Sequence, residues 1–203
     1  MCAMKIIGIT GGVGAGKSKV LSYIGEHYRC RIIRADEVAH LLYEKEQVCY
    51  NALVELLGER ILCDDGAIDK AKMAELIFGD ESLLAGVNAI VHPAVKNYII
   101  EQIAYERARN EADYFFIEAA LLIEDHYDEI VDELWYIHSD EAVRKERLYQ
   151  HRGYSEKKAA DIMEGQLSEE AFRQHCQRVI INNGDLEETY QQIDAIMGDL
   201  RHG

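Results

Sequence analysis

Apolar and polar positions along the chain follow two alternating periods. Short β-rich runs occur at Lys5–Thr10, Arg31–Ile33, Tyr114–Ile117, Leu134–His138 and Val179–Ile181. Between them apolar residues recur at helical spacing, as in Val20, Leu21 and Ile24, or Val95, Ile99 and Ile103. Strands alternating with helices predict an α/β fold, a five-stranded parallel sheet flanked by helices. Tyr114-Phe115-Phe116-Ile117 contains no charged residue, as a strand buried on both faces reads. Helix starts are marked by Ser139 before Asp140-Glu141, Ser155 before Glu156, and Ser168 before Glu169-Glu170. Asp185 with Glu188 three positions on resembles a capping box. Pro93, the only proline, is placed to open the helix carrying Val95, Tyr98, Ile99 and Ile103.

Two stretches interrupt the alternation. Residues 36–110 read as nearly all helical, far more than one crossover between strands requires. Residues 139–177 form a second helical block rich in Arg and Lys. The expected organisation is one domain, 1–203, with a core of 1–35, 111–138 and 178–203. Inserts like 36–110 and 139–177 commonly hold a ligand and close over it. As pattern alone they also read as extra helices.

Between the first strand and its helix lies Gly11-Gly12-Val13-Gly14-Ala15-Gly16-Lys17-Ser18, which fits the phosphate-binding pattern G-x-x-x-x-G-K-[ST]. Strand, glycine-rich loop and helix is the order the chemistry demands. The glycines let backbone N–H groups turn toward an anion, and the helix N-terminus adds partial positive charge. Gly12 through Lys19 are therefore the candidate nucleotide-binding segment: Gly12, Val13, Gly14, Ala15, Gly16, Lys17, Ser18 and Lys19. Lys17 is placed to reach the terminal phosphates, and Ser18 to offer its hydroxyl to Mg²⁺. A nucleoside triphosphate is the expected ligand.

Composition narrows the partner. Of 203 residues, 37 are Asp or Glu against 22 Lys or Arg, a net charge of −15. Such a surface repels nucleic acid and anionic membranes and favours a small molecule met in a locally basic cleft. The five cysteines are scattered with no C-x-x-C pair, which argues against a disulfide framework or zinc site and fits a reducing cytosol. The first residues lead straight into the first strand, leaving no room for a signal peptide, and no apolar run approaches the ~20 residues of a membrane span. A cytoplasmic protein is expected.

Phosphoryl transfer needs positioning, charge neutralisation and a base for the acceptor hydroxyl. Asp36 lies just past the second strand, where it can accept a proton, hold the magnesium shell, or cap the helix at 37–43. Glu118 ends the Tyr114–Ile117 strand, a position for an acid near the metal or an ordinary strand-end acid. Glu124 follows in a segment where it can equally solvate a helix. His92, held extended by Pro93, either contacts a phosphate or satisfies a helix N-terminus. Arg144, Arg147 and Arg152, with His151, form a basic cluster that either neutralises a transferring phosphoryl group or is a solvated face. Asn182-Asn183-Gly184 after the last strand is either an adenine-wrapping turn or a tight turn only.

Together these positions resemble the dephospho-coenzyme A kinase family from Ile6 to about Ile196. The resemblance runs through Ile9-Thr10 and the glycine loop to Ser18, then Ala35-Asp36 and Asn88-Ala89-Ile90-Val91-His92-Pro93. It continues with Leu121-Leu122-Ile123-Glu124, Arg147-Leu148, Gln166 and Val179 to Gly184. It implies transfer of the ATP γ-phosphoryl group to the ribose 3′-hydroxyl of dephospho-coenzyme A, with Mg²⁺. It also implies a P-loop kinase core, a helical acceptor-binding insert (36–110) and a helical lid (139–177). Asp36 matches the presumed base, and Arg147 with Arg152 the lid arginines. His92, Leu122 and Glu124 match acceptor-side motifs, Asn182 and Gly184 the adenine turn, and Ser18 with Glu118 the metal side. Four positions depart from the pattern: Arg34 for a first Asp, Ala120 for Pro, Lys19 for Thr, and His151 at the second lid arginine. Arg152 is one step on, and its guanidinium favours it over His151. The alternative is another P-loop small-molecule kinase, for a nucleoside or nucleotide. A GTPase switch would show D-x-x-G and N-K-x-D, and neither occurs.

Overall fold

A computed structural model of the chain describes residues 3–202, so Cys2 and the first residues of the N-terminal reading lie outside it. Strands β1 (Lys5–Thr10), β2 (Cys30–Arg34), β3 (Tyr114–Glu118), β4 (Glu133–His138) and β5 (Arg178–Ile181) form one sheet in the order β2-β3-β1-β4-β5. β1 pairs in parallel with both β3 and β4, and β4 with β5. Each strand lies within one residue of the run read from sequence. Alternation along the strands divides the side chains between the two faces. Ile7, Ile9, Tyr114, Phe116, Trp135, Ile137 and Ile180 join Val20, Leu21 and Ile24 of α1 (Lys17–His27) and Ile193 and Met197 of α9 (Leu186–His202) in one core. On the opposite face, Tyr136 stacks on Phe172 of α8 (Glu169–His175), ring centroids 4.7 Å apart.

The remaining helices are α2 (Ala35–Leu42), α3 (Tyr50–Leu57), α4 (Lys70–Ile77), α5 (Glu81–Arg109), α6 (Glu141–Arg152) and α7 (Glu156–Glu164). The chain divides into two compact units, Met1–Ile32 with Glu106–Gly203, and Ile33–Tyr105. The second contains α2, α3, α4 and most of α5, joined by short turns. Its buried residues include Val38, Leu42, Leu53, Leu57, Ile61 and Met73.

Several local expectations change. Pro93 does not open a helix but lies inside the 29-residue α5, so His92 is helical rather than extended. The buried stripe Val87, Val91, Val95, Ile99 and Ile103 falls every fourth residue, and Pro93 lies off it, exposed. The carbonyl that Pro93 deprives of a donor belongs to Ala89, also exposed, so water can satisfy it and the cost stays small. α5 is also long and apolar enough to cross a membrane by length and composition, unlike the sequence expectation. Its one-sided stripe, with Asn88, His92 and Lys96 between the buried positions, is the pattern of an amphipathic core helix. Ser155 and Ser168 do cap α7 and α8, accepting from Lys158 N–H and Ala171 N–H. Asp185 accepts from Glu187 N–H at the start of α9. Ser139 does not cap α6. Asp140 takes that place, which frees the Ser139 hydroxyl for the site below.

Candidate nucleotide-binding site

β1 runs into the glycine loop and the loop into α1, so the carboxyl edge of the central strand delivers the loop to the helix N-terminus. In a parallel sheet this edge is where ligands bind. Gly14 (φ 80°) and Gly16 (φ 91°) adopt left-handed backbone that side chains avoid. Gly16 is the N-cap of α1, with no side-chain cap and no acidic residue in the first turn. The N-terminus of α1 is thus suited to an anion, with no acidic residue in its first turn to oppose one. Lys17 is half-buried, and its Nζ donates to the Gly11 carbonyl at 2.8 Å, which lays the ammonium along the loop. Ser18 and Lys19 are exposed on that first turn.

Two loop amides are already engaged within the protein. Val13 N–H donates to Gln166 Oε1 at 3.1 Å, and Ala15 N–H to the Gly12 carbonyl at 3.1 Å.

The ends of β4 and β5 brace the loop from beneath. Ser139 Oγ lies 2.6 Å from the Asn182 carbonyl and 3.2 Å from that of Ala15, and accepts from Arg147 Nη1 at 3.0 Å. Asn182 is buried, and its side-chain amide also donates to the Ala15 carbonyl. His138, at the end of β4, bridges the Tyr136 hydroxyl (3.2 Å) and the Asp140 carboxylate (3.0 Å). Hydrogen bonding to Asn183, and then to His138, holds the Asp140 carboxyl below its ordinary range. Arg144 and Arg147 are half-buried, and this partial burial lowers the pKa of both guanidiniums.

The candidate residues fall in different places. Glu118 is half-buried at the end of β3, in register with Ile9, beside the strand that feeds the loop. Asp36 is exposed in the first turn of α2, whose N-cap is Arg34, so the expected cap role of Asp36 is not found. Its carboxylate accepts from the Glu37 N–H instead. His92 is half-buried within α5. Glu124 is exposed in a turn rather than a helix. Leu122 is fully buried, with a methyl 3.2 Å from where a Cβ on Gly8 would stand, so it packs the interior and offers no surface to a ligand as described. Gly184 is exposed in the turn after β5. Arg152 is the last residue of α6, exposed, and the helix stays regular up to the left-handed Gly153.

Sequence reasoning missed Ser139 as a brace, because its position before Asp140-Glu141 reads as a cap. Gln166 carried no assigned role either. Their contacts join residues 124 and 153 positions apart in the chain, which no local pattern displays.

Comparison with known proteins agrees with this geometry. Residues 5–188 match the family model described as dephospho-CoA kinase. A dephospho-CoA kinase of Oceanobacillus iheyensis is 33% identical over 192 residues, covering 95% of this chain and 96% of the relative. A crystal structure from Thermus thermophilus superposes with a TM-score of 0.81 at 26% identity, covering 98% of this chain and 99% of that one. The dephospho-CoA kinase of Campylobacter jejuni shares the fold, with a TM-score of 0.66 at 18% identity and full coverage of both chains. This chain is a P-loop kinase and belongs to the dephospho-CoA kinase family.

Proposed function

We propose that this protein transfers the γ-phosphoryl group of ATP to the ribose 3′-hydroxyl of dephospho-CoA, giving CoA. The observation that supports it most is the uncapped, acid-free N-terminus of α1 behind the glycine loop, in a chain matched to this family over residues 5–188. Gly16, Lys17 and Ser18 would hold the β- and γ-phosphates. Asp36 and His92, both in the insert 36–110, would serve the acceptor, Asp36 by accepting its proton; Glu124, outside the insert, would contact the acceptor as well. Asn182 and Gly184 would form the adenine turn. Arg147 and Arg152 would neutralise charge on the transferring group from the lid, 139–177.

The donor set fits Mg²⁺. Among the described residues no three His, Cys, Asp or Glu gather as a cage. A hydroxyl from Ser18 and a carboxylate from Glu118 are hard oxygen ligands, and Mg²⁺ is commonly held by few protein groups plus phosphates and water. Ser18 and Glu118 would hold the ion, which would supply charge neutralisation at the phosphates. The free thiols Cys30, Cys49, Cys63 and Cys176 suit a reducing cytosol.

The test is a coupled ADP-release assay across a panel of acceptors. ATP consumption that appears with dephospho-CoA is expected. Turnover with a nucleoside or nucleotide instead would move the protein to another P-loop kinase activity.

A further inference from the structure

The apex of the glycine loop is gripped from the lid side by two side chains. Arg144 Nε donates to the Val13 carbonyl at 2.9 Å, and Arg144 Nη2 to Gln166 Oε1 at 2.8 Å. The same Oε1 accepts the Val13 N–H at 3.1 Å. Three bonds thus close a ring around one residue, satisfying both of its backbone groups from α6 and from the turn between α7 and α8. Both neighbours of Oε1 are donors, which fixes the glutamine amide with its oxygen inward. The approach depends on two glycines. A Cβ on Gly12 would stand 2.5 Å from Arg144 Cζ, and one on Gly14 would stand 2.9 Å from the Arg144 carbonyl.

We propose that Arg144 and Gln166 are positioning residues that act as a clamp, holding the Val13 peptide so that the turn at Gly16–Ser18 is preformed for the phosphates. The clamp also assigns Gly12 a role distinct from phosphate contact: it makes room for a guanidinium. With Val13 N–H and C=O both engaged, the apex cannot rotate, and ATP does not have to order it on binding. This link to ATP rests on the kinase reading above.

Two measurements test the clamp in Arg144→Met, Gln166→Leu and the double variant. In the nucleotide-free protein, exchange of the Val13 amide should rise by about tenfold or more in each, while the melting temperature of the whole protein holds. The double variant should exchange no faster than either single one, because each removal opens the same ring. With ATP, KM should rise by about tenfold in each variant while kcat stays within about twofold, since a preformed loop acts on binding. Gln166→Glu keeps the acceptor and should leave Val13 exchange near the wild type; it serves also if Gln166→Leu does not fold. Unchanged Val13 exchange, additive effects in the double variant, or a fall in kcat at constant KM would each overturn the proposal. The exchange measurement needs no substrate, so it decides the clamp even if the protein proves to use another nucleotide.

Discussion

The side-chain amide of Asn182 donates to the carbonyl of Ala15 at 2.8 Å, tying the end of β5 to the loop after β1. Asn182 is buried, and its side-chain Oδ1 accepts from the Thr189 hydroxyl at 3.1 Å, so the amide orientation is fixed. Gly16 lies against it: a Cβ there would stand 2.2 Å from Asn182 Nδ2, at a φ of 91° that side chains rarely adopt. Gly16→Ala should therefore weaken ATP binding by roughly 10²-fold, since strain and clash both fall on the phosphate turn. Asn182→Ala should cost about 1–3 kcal/mol of stability, leaving buried partners unpaired, and raise KM for ATP. Calorimetric titration with ATP and thermal melts read both. Wild-type ATP affinity in Gly16→Ala would place the nucleotide elsewhere.

Lys17→Ala should cut kcat by about 10²-fold or more while the melt stays near that of the wild type. Its ammonium donates to the Gly11 carbonyl, and that part-buried contact lies at the loop rather than in the core. Near-normal turnover in the variant would remove Lys17 from the site.

Asp36→Asn should lower kcat by about 10²–10⁴-fold, the span of a general base, with ATP binding retained. Because Arg34 and not Asp36 is the N-cap of α2, the substitution should leave the melting temperature unchanged. A destabilised variant with normal kcat would mean the carboxylate serves α2 and not the acceptor.

Burial pushes the Cys176 thiol up to about 12 and the Cys30 thiol to about 11, against an ordinary 9.0. The folded state therefore binds these protons more tightly than the unfolded chain. That contribution is complete below pH 9 and is lost as pH climbs toward 11 and 12. Stability should fall across this alkaline window and less so in Cys176→Ala, measured by urea melts at increasing pH. At neutral pH a thiol reagent should label exposed Cys63 well before Cys30, Cys49 or Cys176. Equal labelling rates would show that the buried thiols open readily.

What could be read in the sequence was what short-range chemistry decides. The strands stood out as short apolar, β-rich runs, because β1 and β3 are buried along nearly their whole length. The loop stood out because left-handed backbone at Gly14 and Gly16 admits few residues. Pro93 misled because its cost depends on which way the Ala89 carbonyl points, and the register of α5 sets that direction. Ser139 misled because Asp140 competes for the same cap. The grip of Arg144 on Val13 joins positions 131 apart, so only the folded chain reveals it.

Arg147, and the choice between Arg152 and His151, pose the sharpest test of the proposed lid. Arg147 already turns inward to Ser139, which itself contacts the loop through Ala15, so Arg147→Ala should lower kcat more than it lowers stability. Along a regular helix, residue 151 lies ~40° from residue 147 and residue 152 lies ~140° from it. α6 is regular through Arg152, so the offset is not absorbed in this state. The helix ends there, however, at Gly153 with φ 61°, and a last turn that meets a glycine is the part most easily unwound when a lid closes. A guanidinium also keeps its charge throughout, whereas histidine side chains generally change charge between about pH 5 and 8. Arg152→Ala should therefore reduce kcat about 10²-fold or more, and His151→Ala by much less, with profiles flat from about pH 6 to 8. If His151→Ala is instead the crippled variant, and wild-type activity climbs toward acid pH, then helical register outweighs charge and the second cation is His151.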